Sequence, residues 1–130
     1  MDYKKSLEEL EKAIEELREE NKNTPILVEG ERDIEALRKL DINGKIICIN
    51  TGMPVSNLCD IISQKHREII LLIDWDRKGG HLCLLIRKNL QGRVKCNTRY
   101  REIFAKRSMI RTIEGLPSWI NRMKEKTKNI

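Results

Sequence analysis

Three short apolar runs, each unbroken and each followed by a helix-like stretch, constrain this chain more than any other feature. They are residues 25–28 (Pro-Ile-Leu-Val), 45–49 (Lys-Ile-Ile-Cys-Ile) and 68–73 (Glu-Ile-Ile-Leu-Leu-Ile). A strand with one wet face alternates apolar and polar residues. A strand covered on both faces reads as a continuous run instead. Between and after the runs, apolar residues recur at helical spacing: Ile34, Leu37 and Leu40; Leu58, Ile61 and Ile62; Leu82, Leu85 and Ile86. Covered strands alternating with helices predict a parallel sheet joined by right-handed crossovers. Residues 94–96 read as a short fourth strand. The expected fold class is α/β: a three-layer α/β/α domain with about four mainly parallel strands, plus N-terminal and C-terminal helices.

The 130 residues amount to one domain. Residues 1–24 form an amphipathic helix whose stripe is Leu7, Leu10, Ile14 and Leu17, ended by residues 21–24 and Pro25. That stripe packs on its own domain, or it serves a homodimer or a protein partner. Residues 25–98 are the α/β core. Residues 99–130 are a basic helical extension of the same domain, interrupted near Gly115-Leu116-Pro117.

Charge is unevenly distributed. Residues 1–24 hold 5 basic and 8 acidic side chains, residues 25–92 hold 10 and 9, and residues 93–130 hold 11 and 3. The segments therefore carry −3, +1 and +8, which sum to the net +6 of the chain. A cationic end beside a balanced domain points to a polyanionic partner, or else to a solvated basic tail. No apolar run reaches the roughly 20 residues that span a bilayer, and residues 1–21 do not resemble a signal peptide. A cytoplasmic location without membrane contact is expected. Cys48, Cys59, Cys83 and Cys96 form no C-x-x-C pair, so buried reduced thiols are expected rather than a zinc site. His66 and His81 stand at no metal-ligand spacing, and His81 reads as a helix-surface residue.

Two of the three runs end in acid. Glu29 closes the first, and Asp74 and Asp76 close the third. Ligands of an open parallel sheet collect beyond the carboxyl ends of its strands. Should the first and third strands be neighbours, three carboxylates crowd one volume, and extended backbone would point Asp74 and Asp76 the same way. Such crowding calls for a cation. Mg²⁺, as one or two ions with Mn²⁺ as a substitute, fits a few carboxylates, retained waters and phosphate oxygens. Glu29 is alternatively a general acid or base. Gly30 permits a sharp strand-to-helix turn, while Gly79 and Gly80 let backbone N–H groups approach a phosphate. Arg32, Arg77 and Lys78 flank the acids and either hold phosphate or balance charge. Acids after strands also serve simply as helix caps. Asp33, early in its helix, is read that way and given no ligand role.

These segments resemble a known family. Val28-Glu29-Gly30-Glu31-Arg32-Asp33 is similar to the E-G-x-x-D segment of the Toprim domain, and Ile73-Asp74-Trp75-Asp76-Arg77-Lys78-Gly79 to its D-x-D-x-x-G segment. Residues 99–103 and 112–116 look like those of small stand-alone archaeal, primase-like Toprim proteins. The resemblance implies Mg²⁺ held by Glu29, Asp74 and Asp76, and chemistry on phosphodiesters. A topoisomerase would need a tyrosine nucleophile in an added domain, but the tyrosines here are Tyr3 and Tyr100. Tyr100 either packs or stacks on a base. The zinc-bearing regions of replicative primases and recombination mediators are also missing. What remains is a minimal metal-binding nucleic-acid domain, and the leading expectation is a nuclease-like enzyme on RNA or DNA, with Arg99, Arg101 and Arg107 tracking the phosphate backbone. Its competitors are a non-catalytic nucleic-acid-binding or ribonucleoprotein module, and an adaptor that recruits a larger enzyme through the first helix.

Overall fold

The computed structural model describes residues 2–128. Its elements run α1 (Tyr3–Asn21), β1 (Ile26–Val28), α2 (Glu31–Lys39), β2 (Ile46–Cys48), α3 (Val55–Lys65), β3 (Glu68–Leu71), α4 (Arg77–Leu90), β4 (Lys95–Asn97), α5 (Arg99–Arg107) and α6 (Leu116–Thr127). The four strands form one sheet in the order β2-β1-β3-β4, and every pairing is parallel.

Side-chain alternation divides the core into two layers. Ile26, Val28, Ile70 and Leu72 face one side with residues of α1, α2, α5 and α6. Leu27, Ile69, Leu71 and Ile73 face the other with α3 and α4. Both faces of β1 and β3 are thus covered, which is why their runs carry no polar residue beyond Glu68 at the start of β3. The crossover through α2 steps outward from β1 on the first face. The crossovers through α3 and α4 step the opposite way on the second face, so all three share one hand.

Strand order reverses between β1 and β3. The segment leaving β1 turns to one face and the segment leaving β3 to the other. A crevice opens there beyond the strand ends, at the topological switch point.

The stripe of α1 packs into its own domain: Leu10 and Leu17 are fully buried, and Leu7 and Ile14 nearly so. On α3 and α4 the helical spacing overstates the core. Leu58, Ile62 and Ile86 are buried, whereas Ile61 and Leu85 lie on the surface and Cys83 and Leu90 take the inner positions. The break in the C-terminal helical region falls at residues 108–115, before Pro117, which sits in the first turn of α6 where its missing N–H has no helical acceptor to lose. Among the described residues, no helix is long and apolar enough to cross a membrane.

Candidate functional site

Register builds the crevice. Ile26 lies opposite Ile70 and Leu27 opposite Leu71, so β1 and β3 end side by side. The main chain of Glu29 is fixed by the neighbouring β2 loop: Asn50 N–H donates to its carbonyl (2.9 Å), as does the Cys48 thiol (3.3 Å). Carried past the strand ends, the register sets Glu29 beside Ile73, one residue out of phase with Asp74.

Strand β3 stops at Leu71, so Asp74 and Asp76 belong to the β3–α4 connection and not to extended sheet. Each has its own anchor. Asp76 is the N-cap of α4, its Oδ1 accepting from Gly79 N–H at 2.7 Å. Asp74 Oδ1 accepts from the backbone N–H of Ile113 at 2.8 Å, in the α5–α6 loop. Trp75, between them, grips the same loop: its N–H donates to the Arg111 carbonyl (3.0 Å) and its Nε1–H to the Ile110 carbonyl (2.6 Å). Among the described residues, Oδ2 of both aspartates and the carboxylate of Glu29 make no hydrogen bond or ion pair.

Burial first, and like charge second, act on the acids of the crevice. Burial pushes the Asp74 carboxyl above its ordinary value, the Ile113 hydrogen bond opposes this, and Asp33, Asp76 and Glu114 push it further up. Asp33 is buried and also raised, first by burial and then by Glu29 and Glu114, against the lowering effect of its bond from Gly30 N–H (3.1 Å). Asp33 therefore ties down the turn carrying Glu29, as its position early in α2 suggested. Glu114 is the acid that sequence reasoning missed. It lies outside both acidic segments and arrives because the preceding residue is bonded to Asp74. Its one signal was the tail segment 112–116. Among the described residues, no group of three or more His, Cys, Asp or Glu side chains stands in a metal-ligating arrangement.

The glycines act differently from their sequence reading. Gly79 and Gly80 do not offer free amides. Gly79 N–H is taken by Asp76, and Gly80 N–H donates to the Asp76 carbonyl (2.9 Å). Glycine is needed at 79 for space, since a Cβ there would lie 2.0 Å from the Asp74 carbonyl oxygen. Gly30 has the reverse character. Its φ of −141° suits any residue and a Cβ would meet nothing within 4 Å, so the turn itself does not demand glycine.

The cations also separate. Arg77 and Lys78 are exposed in the first turn of α4, beside the acids. Arg32 reaches Glu114 at 3.8 Å, with both side chains mostly in solvent. Arg101 instead turns inward: its Nε donates to the Ile73 carbonyl (2.8 Å) and its Nη2 to the Asp74 carbonyl (2.9 Å). Arg99 pairs with Glu16 at 2.7 Å, and Arg107 pairs with Glu9. These three arginines, expected along a phosphate backbone, hold the protein's own groups. Tyr100 is fully buried and packs rather than stacks on a base. Burial, with Glu20 nearby, pushes its phenol up to about 12. Among the described residues the hydroxyl has no partner in bonding geometry. All four cysteines are free thiols, and His81 is exposed on α4.

A model of the Toprim domain matches residues 24–106. The chain belongs to the Toprim family. Its relatives include a UPF0292 protein of Thermoplasma volcanium, 39% identical over 110 residues that cover 84% of this chain and 92% of that protein. A UPF0292 protein of Methanocaldococcus jannaschii is 41% identical over 119 residues, covering 88% and 92%. Among solved structures, a protein from Aquifex aeolicus superimposes with a TM-score of 0.69 at 27% identity, covering 79% of this chain and 94% of that one. Toprim domains generally bind divalent metal ions, and membership implies a metal-dependent, nucleic-acid-related function. The α5–α6 loop that grips Asp74 and Trp75 lies beyond the Toprim match.

Proposed function

We propose that this Toprim chain is a Mg²⁺-dependent, nuclease-like enzyme acting on phosphodiesters of RNA or DNA. One observation carries the reading: Glu29 follows β1 and Asp74 and Asp76 follow the adjacent β3 at the topological switch point, and among the described residues none of these three carboxylates pairs with a cation. The donor set fits the ion. It is all oxygen, and Mg²⁺ needs only a few protein carboxylates because it keeps waters and accepts phosphate oxygens. When bound there, Mg²⁺ supplies Lewis-acid stabilisation of charge on the transferring phosphoryl group.

The protein's own groups do the rest. Asp74 and Asp76 hold the ion, each oriented by the hydrogen bond on its Oδ1. Glu29 shares the ion or moves a proton as general acid or base. Arg32, Arg77 and Lys78 attract and orient phosphate around the acids. Arg101 and the Ile113 amide keep the Asp74 segment from shifting when a charged ligand enters.

The test is cleavage of labelled hairpin RNA, single-stranded RNA and single- and double-stranded DNA with and without Mg²⁺, by wild type and Asp74→Asn. Asparagine keeps an oxygen for Ile113 N–H and removes the charge. Mg²⁺-dependent cleavage that falls at least ~100-fold in the variant is the expected result, of the size seen when a charge-stabilising group is lost. Salt-sensitive binding by both proteins with cleavage by neither would replace this reading with the non-catalytic module.

A further inference from the structure

The exposed face of α4 is a second strongly charged surface of the molecule. From Arg77 to Arg101 the chain contains no Asp or Glu, and α4 lies wholly inside that stretch. Gly79, Cys83, Ile86 and Leu90 bury one side of α4. The opposite side presents Arg77, Lys78, His81, Leu84, Arg87 and Lys88 to solvent. Among the described residues, the four cations of this face make no ion pair, unlike Arg99 and Arg107. Helix-dipole compensation accounts for Arg87 and Lys88 in the last turn of α4. It runs against Arg77 and Lys78, which stand in the first turn where cations are disfavoured.

Two further facts give the face a direction and a ligand. Asp76 caps α4, so the helix's 14 residues lead away from the acidic crevice for about 20 Å. At the far end, a cleft of about 450 Å³ opens between α4 and β4, with Leu84, Val94 and Cys96 as apolar lining and Arg87 and Lys88 at its cationic side. Leu84 is 57% exposed. Phosphates suit the cations, and an unstacked base suits an apolar hollow, whereas a closed duplex keeps its base faces stacked and has none to place there.

We infer that the exposed face of α4 is a track for a single-stranded stretch of nucleic acid, running from the α4–β4 cleft to the acidic crevice. The inference rests on the proposed nucleic-acid function and moves the contact surface away from the C-terminal arginines. Binding is read by fluorescence anisotropy of labelled single-stranded RNA, single-stranded DNA and blunt duplex, over a salt series and without Mg²⁺. Wild type should retain single strands better than duplex. The double variant Arg87→Gln/Lys88→Gln should bind single strands at least ~10-fold more weakly, with the log–log salt slope reduced by about 1.4. Among the described residues neither is internally paired, so its urea midpoint should fall only by the small helix-dipole contribution of the two charges. Arg99→Gln/Arg107→Gln should keep wild-type affinity and slope. Unchanged binding by the α4 variant, or equal retention of duplex and single strand, overturns the track. Cleavage lost in Asp74→Asn alongside that result leaves the catalytic reading standing. Track-dependent binding without cleavage removes the catalytic reading and keeps the track.

Discussion

The two charged regions of this protein are built on opposite plans. Where α1 meets α5 and α6, charge is spent inside the molecule: Glu9 on Arg107, Glu16 on Arg99, Glu11 on Lys124, and Glu20 accepting from Asn97. At the strand ends and along α4 it is left unspent, acids in the crevice and cations on the helix. The negative first segment and positive last segment thus offset each other in part, through three ion pairs. Net charge by segment measures composition, whereas a ligand meets only the charges that the fold leaves without partners.

The comparison breaks first at Gly79. If the crevice is held by backbone packing rather than by charge pairs, Gly79→Ala should destabilise by about 3 kcal/mol, because the new methyl meets a main-chain oxygen that cannot yield. Gly30→Ala should stay within about 0.5 kcal/mol. Urea unfolding of both variants separates these cases, and equal midpoints would refute the packing account.

Arg101→Ala comes next. It removes two charge-assisted hydrogen bonds from the carbonyls of Ile73 and Asp74, and a loss of about 2 kcal/mol is expected. Arg101→Lys should recover only part of it, since an ammonium cannot reproduce the planar fork. Thermal unfolding of the two variants checks the order.

A smaller effect depends on pH. Asp74 and Asp33 sit above 3.8 in the folded chain, mainly through burial. The folded state therefore keeps protons that the unfolded chain has released. Their contribution to stability is fully present below 3.8 and declines as pH rises through the raised values. Metal-free Asp74→Asn should accordingly be more stable than wild type near neutral pH and show a flatter profile. Urea midpoints between about pH 4 and about pH 7 test the sign, and added Mg²⁺ should narrow the gap by stabilising wild type alone.

The smallest effect belongs to the compensated side. Arg107→Gln should cost about 0.2–1 kcal/mol, as partly exposed ion pairs do, and leave nucleic-acid affinity unchanged. Loss of affinity without loss of stability would show that the two regions are less distinct than their pairing suggests.

Much of the fold was legible because burial on both faces leaves a plain mark. The runs around Ile26, Ile46 and Ile69 became β1, β2 and β3, and the spacing of Leu58, Ile61 and Ile62 became α3. Glu29, Asp74 and Asp76 were legible for a related reason: acids that close apolar runs are conspicuous. What escaped were partnerships across long sequence separations. Arg101 reaches back 28 residues to Ile73, and Ile113 N–H reaches back 39 to Asp74. No periodicity announces such bonds, so Arg101 read as a phosphate contact and Glu114 went unassigned. Gly79 was recognised as special for the wrong reason, since its crowding comes from the chain five residues earlier. The α4 face was hidden by dividing charge at residue 92, which split one acid-free stretch between two sums.

Trp75 gives the crevice an optical property. The chain has two tryptophans, and this one lies between Asp74 and Asp76 with its indole N–H held by the Ile110 carbonyl. The other, Trp119, is buried in α6. A luminescent lanthanide held by the two aspartates would have an antenna within the same tripeptide, rigidly mounted and needing no label. Excitation of Trp75 would then light up an ion on arrival, and displacement by Mg²⁺ would extinguish it.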